Sequence, residues 1–255
     1  MVNQRWQEGL PFYRPAEPIR TAEYDVDAIA GDTVPKAFIE QHHYSGTYPA
    51  ARFRFGLYHR GALAGVAVFS HPCNDKVLTS TFPGRALDSV ELGRFVLLDE
   101  VPGNGETWFL ARCFEQLRAR DLRGVVSFSD PVPRQTREGL TIFRGHIGTI
   151  YQAHNGAYRG RGTARRLLLL PDGAVLSARA LQKIRCGERG WHYAAEQLVA
   201  CGADPCEGNR RAWLRRWLPR LTRPVAHPGN HKYAWPLRKG ERLASVAPYP
   251  KALAA

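Results

Sequence analysis

The spacing of apolar positions changes several times along the chain, and each change predicts an element. Thr33 to His43 (TVPKAFIEQHH) puts Val34, Phe38 and Ile39 at helical spacing behind Thr33 as N-cap, with Pro35 in the first turn. Gly46 and Pro49 end that pattern. Arg52 to His59 (RFRFGLYH) alternates polar and apolar, and after Arg60-Gly61 the run Leu63 to Ser70 (LAGVAVFS) is continuously small and apolar. Together they predict a β-hairpin whose second strand is buried on both faces. Val90 to Leu98 reads as a strand, Asp99 to Gly105 as a turn, Glu106 to Arg120 as a helix and Gly124 to Ser129 as a further strand. That is a βαβ unit with parallel strands. Its helix sets Phe109, Cys113 and Leu117 at i, i+4 and i+8, so one face packs on the sheet.

Further on, His146 to Gln152 (HIGTIYQ) and Ala157 to Leu170 read as strand material interrupted by glycine turns. Past Pro171-Asp172-Gly173 the texture turns helical: Ser177 to Cys186 with Ser177 as N-cap, Trp191 to Cys201, and Asn209 to Leu218. Lys232 to Trp235 is expected to return as an edge strand. The organisation expected is an extended arm with one strand over 1–32, a catalytic core over 33–176, a basic helical segment over 177–228 and a closing strand and tail over 229–255. The fold class is α/β (α+β): a mixed central sheet with flanking helices and a basic helical insertion near the C-terminus.

Composition narrows the function classes. No apolar run reaches the length needed to span a bilayer and the N-terminal residues lack a secretory apolar core, so a soluble intracellular, cytoplasmic protein is expected. Five cysteines without a CxxC indicate neither a disulfide framework nor a zinc finger. Cys186, Cys201 and Cys206 could form a thiolate site, but their spacing reads as incidental. Lys and Arg number 36 against 23 acids, a net charge of +13, and 15 of the basic against 5 of the acidic residues lie beyond residue 176. Such a cationic segment suits a polyanion, with an Arg-rich coding bias as the competing source.

The order helix, hairpin, strand, turn, helix, strand resembles the core of the acyl-CoA N-acetyltransferases (GNAT). That resemblance implies an acyl donor such as acetyl-CoA, its pyrophosphate held by a glycine turn at the start of the central helix. Gly103, Asn104 and Gly105 occupy the place, although no basic residue precedes them and Glu106 follows; a plain turn reads the same way. More specific are His43-Tyr44-Ser45-Gly46, Phe128-Ser129-Asp130-Pro131, the stretch Gly145 to Asn155, Tyr158-Arg159-Gly160 and Asn230-His231-Lys232-Tyr233. In this order they resemble the Mom family of phage DNA modification proteins. The resemblance implies transfer of a carbamoylmethyl or acetamido-type group to the exocyclic N6 amine of adenine in duplex DNA, which protects phage DNA from restriction. It also implies His43, Tyr44, Asp130 and Tyr151 as site residues and an association with iron, for which His43 and Asp130 are the candidate ligands.

The chemistry is compatible with those residue types. The adenine amine is a poor nucleophile, so a base such as Asp130 or His43 would assist it. Tyr44 and Tyr151 could donate hydrogen bonds or stack on an extruded base; alternatively, His, Asp and Tyr suit iron. His42, His71, His146 and His154 are alternative ligands whose spacing decides nothing. For duplex DNA the candidate contacts are Arg161, Arg165, Arg179, Lys183, Arg185, Arg211 and Arg215, on helices that either read bases or grip phosphates alone. Two rival readings stay open: an acetyltransferase acting on a small or protein amine, and a DNA-binding protein without activity.

Overall fold

The computed structural model describes Gln4 and residues 17–241, 243 and 245–251. In chain order its elements begin with β1 (Tyr24–Ala28), α1 (Thr33–His42), β2 (Ala51–His59), β3 (Ala62–Ser70), α2 (Lys76–Thr81) and β4 (Ser89–Leu97). There follow α3 (Gly105–Arg118), β5 (Gly124–Ser129), β6 (Arg134–Gln135), β7 (Thr141–Phe143), α4 (Thr149–Ala153), β8 (Ala157–Arg161) and β9 (Arg165–Leu169). Last come β10 (Val175–Leu176), α5 (Ala178–Cys186), α6 (Trp191–Val199), α7 (Arg210–Leu221), β11 (Arg223–His227) and β12 (His231–Pro236). They form two compact units, one of residues 1–131, 146–162 and 230–255, the other of residues 132–145 and 163–229.

The first unit is a mixed seven-stranded sheet in the order β1-β2-β3-β4-β5-β12-β8, antiparallel except for the β4–β5 pair. Arg60 and Gly61 both have positive φ (48° and 84°), the backbone that a two-residue hairpin between right-twisted strands requires. One face of the sheet carries α3, whose Phe109, Leu110, Cys113, Phe114 and Leu117 are buried with Val90, Leu92, Val125 and Trp235. The other face carries α1, whose Ile39 packs on Val66 and Val68. β3 is therefore buried on both faces, as its unbroken apolar run predicts.

A bulge in β4 shapes what lies beside it. Register steps from Phe69↔Leu92 to Val68↔Arg94, leaving Gly93 as the extra residue. Val90 and Leu92 face the α3 side before the bulge and Phe95 and Leu97 after it, which turns Arg94 and Val96 toward the α1 side. A Cβ at Gly93 would lie 2.8 Å from Ser70 Oγ, so glycine suits this close approach. β5 pairs with β4 only over Ser89 to Leu92; beyond the bulge the two strands part.

The second unit combines a three-stranded antiparallel sheet, β10-β9-β11, with the β6–β7 ribbon and helices α5 to α7. Its core joins Leu170, Leu176, Ile184, Leu198, Trp213, Leu214 and Leu221. Ser177 caps α5 by accepting the Ala180 N–H at 3.0 Å, and Asn209 caps α7 by accepting from Arg211 and Ala212 at 3.1 Å. No helix among the described residues is long and apolar enough to cross a membrane.

The structure departs from the sequence expectation in several places. Residues 149–153 are helix, not strand: the alternation of HIGTIYQ looks extended, but Gly148 enters the left-handed region at φ 79° and turns the chain into α4. β12 lies between β5 and β8 instead of at an edge, because Tyr233, Ala234 and Trp235 are all buried and need neighbours on both sides. β9 leaves the main sheet to pair with β11, so the second unit includes residues 163–176 and 132–145 as well as the helices. α1 begins behind Asp32, whose carboxylate is taken by Arg54 and Tyr48 and does not cap. Of the expected arm, residues 1–3 and 5–16 lie outside the described residues, and β1 is the edge strand of the sheet.

Candidate active site

Where β4 parts from β5, a cleft of about 300 Å³ opens in the first unit. Its lining brings together His42, His43 and Tyr44 from the end of α1, Phe95, Val96 and Leu97 from β4, His146, and Gly148 to Tyr151 from α4. Asp99 and Glu106 also border it. Residues separated by a hundred positions thus meet because the bulge and the parting of the strands leave a gap that the α4 segment flanks.

His43 occupies the C-cap of α1, 7% exposed, its ring stacked on Tyr44 at 4.2 Å between centroids. Its Nδ1 accepts the Ser45 N–H at 3.1 Å and lies 2.9 Å from Ser45 Oγ. An acceptor Nδ1 places the proton of the neutral ring on Nε2. Burial, followed by the charge of Arg94 and the neighbouring His146, holds His43 well below the usual histidine range. His43 is thereby a neutral hydrogen-bond donor. This corrects the expectation that it could act as a base, since the lone pair that would accept a proton is engaged by Ser45.

Tyr44 places its hydroxyl 3.3 Å from His146 Nε2, the rings meeting edge to face. The His146 backbone N–H donates to the Asp130 carbonyl at 2.8 Å. Asp130 is buried at 9% exposure directly after β5, and its backbone carbonyl holds the His146 segment that lines the cleft. Tyr151 stands on α4, packed on Tyr233 and edge-on to Trp235 at 5.5 and 5.6 Å. Burial raises its pKa, opposed by a side-chain hydrogen bond with Ser127, while Glu91 and Arg94 add smaller opposite influences. The Tyr151 phenol therefore remains protonated at neutral pH.

Sequence reasoning missed three participants. His146 stood only among the alternative ligands, yet it is the partner of Tyr44. Arg94 anchors the His43–Thr47 loop to β4, giving its Nε to the Thr47 carbonyl at 2.7 Å, Nη2 to Thr47 Oγ1 at 2.6 Å and Nη1 to the Gly93 carbonyl at 2.5 Å. Gln4 lays its side-chain amide along the freed edge of β4, donating to the Leu97 carbonyl at 2.6 Å and accepting the Asp99 N–H at 2.8 Å. The ELGR string of β4 held a signal for Arg94, a glycine and an arginine inside an apolar strand; nothing marked Gln4.

Gly103, Asn104 and Gly105 form a turn at the start of α3, with Asn104 left-handed at φ 64°. The Gly103 N–H is spent on the Glu17 carbonyl at 2.9 Å and that of Gly105 on Pro102 at 3.1 Å. Glu106 adds a carboxylate to the first turn, where a second anion is disfavoured. The glycine N–H groups therefore do not fit a pyrophosphate as the sequence resemblance implied. Iron fits no better. Among the described residues no group of three or more His, Cys, Asp or Glu side chains could hold a metal ion. His43 has its Nδ1 engaged by Ser45, and no such group forms around His43 and Asp130, so these two do not make an iron site.

The basic candidates divide between the units. Arg161 ends β8 opposite His231 in the first unit. In the second unit Arg165 opens β9, Arg179 is ion-paired to Glu188 at 2.6 Å, and Lys183 is half-buried on α5. Arg185, Arg211 and Arg215 line one groove.

Among solved structures the chain is similar to several acetyltransferases. A tandem GNAT protein from the clavulanic acid biosynthesis pathway shares 10% identity, with 86% of this chain and 100% of that chain covered and a TM-score of 0.46. An IAA acetyltransferase from Bacillus cereus gives 11%, 84%, 99% and 0.39 in the same terms. An N-acetyltransferase from Staphylococcus aureus Mu50 gives 9%, 84%, 99% and 0.35. No curated protein matches the sequence. The model of the Mom protein family matches residues 23–251, nearly the whole chain and every element of the cleft save Gln4. The chain belongs to the Mom protein family, the family of phage DNA modification proteins.

Proposed function

We propose that the protein transfers a carbamoylmethyl or acetamido-type group to the exocyclic N6 amine of adenine in duplex DNA, and that the product resists restriction. The observation that carries this reading is the division of labour in the cleft: a neutral His43 held as a donor beside a Tyr44–His146 pair. The cleft is walled mainly by apolar and aromatic groups, which suits a flat base brought out of the helix. Its amine meets a base in His146, reached directly or through the Tyr44 hydroxyl. As the N6–carbon bond forms, the bond from that carbon to the donor's leaving group breaks and the leaving group keeps the electron pair. The N6 proton passes to His146 Nε2 while His43 Nε2–H and the Tyr151 hydroxyl donate to developing negative charge. Proton removal of this kind is worth about 10²–10⁴-fold. Arg94 and the Asp130 carbonyl act as positioning groups for the two histidine segments.

The donor is an electrophile whose transferred methylene carbon carries the leaving group; an acyl-CoA would instead leave an N6-acyl amide and release its thiolate, and Gly103 and Gly105 do not supply a phosphate grip for it. The test is mass spectrometry of nucleosides from plasmid DNA after expression in bacteria. A new adenine adduct with the wild-type chain, absent with His146→Gln or Tyr44→Phe, is the expected result. Acetylation of free or protein amines with no DNA adduct overturns the reading in favour of an ordinary acetyltransferase. Salt-dependent DNA binding with neither activity overturns it in favour of a binding protein.

A further inference from the structure

The second unit holds fifteen basic and six acidic residues in its two segments, a net charge of +9. What the cations can do depends on which are already committed. On α5, Arg179 is paired with Glu188 at 2.6 Å. On α7, Arg216 is paired with Asp204 at 3.4 Å and lies over the Trp217 ring at 5.0 Å, and Arg220 covers the same ring at 5.6 Å. Arg210 lies over Trp191 at 5.2 Å and packs against Gly187, where a Cβ would meet its Nη2 at 2.6 Å. These arginines serve the unit's own architecture.

Arg185, Arg211 and Arg215 do not. All three are exposed, none has an ion-pair partner among the described residues, and they surround one groove floored by Leu214, Leu218 and Pro219. Arg211 and Arg215 stand at i and i+4 on a helix whose sequence contains no acid, a spacing at which like charges oppose helix formation. Arg211 also falls in the first turn of α7, where the helix dipole disfavours a cation. Three guanidinium groups converging without an acid are costly alone and favourable around anions. Guanidinium forks match phosphate oxygens, and the apolar floor offers no base-edge acceptor or donor. No aromatic ring borders the groove, so it lacks the stacking platform that single-stranded nucleic acid uses.

We infer that the α5–α7 groove is a phosphate clamp for duplex DNA, gripping the backbone through Arg185, Arg211 and Arg215 without reading sequence. This rests on the reading of duplex DNA as the substrate and assigns its grip to residues of the second unit. Lys183 and Arg179, grouped with these residues by sequence, stand outside the clamp.

The test is fluorescence anisotropy with a labelled 20-base-pair duplex from about 50 to 200 mM salt. Each phosphate contact contributes about −0.9 to the slope of log K against log salt, so R185Q/R211Q/R215Q should be shallower by about 2.7. Over that salt range the wild-type chain should lose about 40-fold more affinity than the triple variant. R211Q or R215Q alone should each flatten the slope by about 0.9, a readout that holds even where the triple variant is perturbed in fold. R179Q/R216Q should keep the wild-type slope. An unchanged slope in the triple variant, or an equal loss in R179Q/R216Q, overturns the clamp while leaving the adenine adduct as the separate test of function. Tighter binding of an RNA duplex or a single strand overturns duplex DNA as its ligand. Failure of the wild-type chain to bind duplex at the lowest salt overturns the clamp, and an adduct formed all the same would leave the functional reading standing.

Discussion

Gly148 stands at the junction of backbone conformation, packing and site geometry, and replacing it by alanine should expose all three. Its φ of 79° lies in the left-handed region, where a Cβ costs about 1–2 kcal/mol. That Cβ would also lie 2.8 Å from Tyr233 Cε2, 2.9 Å from Tyr151 Cδ2 and 3.0 Å from Ser129 Oγ. Rings and strand side chains at those positions cannot swing away freely, and overpacking of this kind adds about 1–3 kcal/mol. Gly148→Ala should therefore cost about 2–5 kcal/mol and move Tyr151 from the cleft wall. Gly160→Ala is the matched control: its φ is 84°, but nothing lies within 4 Å of the added methyl. It should show the backbone cost alone, about 1–2 kcal/mol. Urea denaturation gives both values at unchanged m, and nucleoside mass spectrometry reads the site. Equal destabilisation by the two substitutions, with full adduct formation in Gly148→Ala, would refute the packing argument and the placement of Tyr151.

Other consequences can be checked independently. Tyr151→Phe keeps the ring contacts and removes only the hydroxyl shared with Ser127, so stability should change by about 0.5–1.5 kcal/mol while adduct formation is lost; loss of the adduct together with the cooperative unfolding transition would point to misfolding instead. His43 is held below the ordinary histidine range in the folded state, so the unfolded chain takes up its proton first as pH falls. Its contribution is whole above the unfolded pKa of about 6.5 and declines below it by up to about 1.4 kcal/mol per pH unit. Unfolding midpoints from pH 7.5 to 5 should fall, and His43→Asn should flatten the fall in part, the remainder arising from His42, His154 and His231, which burial also depresses. Trp213→Ala removes a ring that is 7% exposed and a hydrogen bond from Nε1 to the Asp204 carbonyl at 2.9 Å. About 3–5 kcal/mol of destabilisation is expected by denaturant titration, and a loss below 1 kcal/mol would contradict its place in the second core.

Much of this molecule was legible in its amino-acid sequence because the signals were local. The hairpin, the βαβ unit and the cap at Ser177 follow from periodicity and from a side chain that bonds its own helix. The segments carrying His43, Tyr44 and Tyr151 were visible as motifs, and the excess of cations late in the chain was a matter of counting. Which arginines were available to a ligand was not. Arg179 and Arg185 look alike on α5 until Glu188 arrives beside one of them. The central place of β12, the partnership of Tyr44 with His146 and the helix at Thr149 each depend on contacts across distant parts of the sequence, which no local window contains. The tautomer of His43 belongs to the same class: the identity of the ring was plain from the start, but its role as donor was decided by the Ser45 N–H that the turn brings to Nδ1. Sequence set the elements and the chemical groups; tertiary structure decided which groups met, because burial and hydrogen bonding act on neighbours in space.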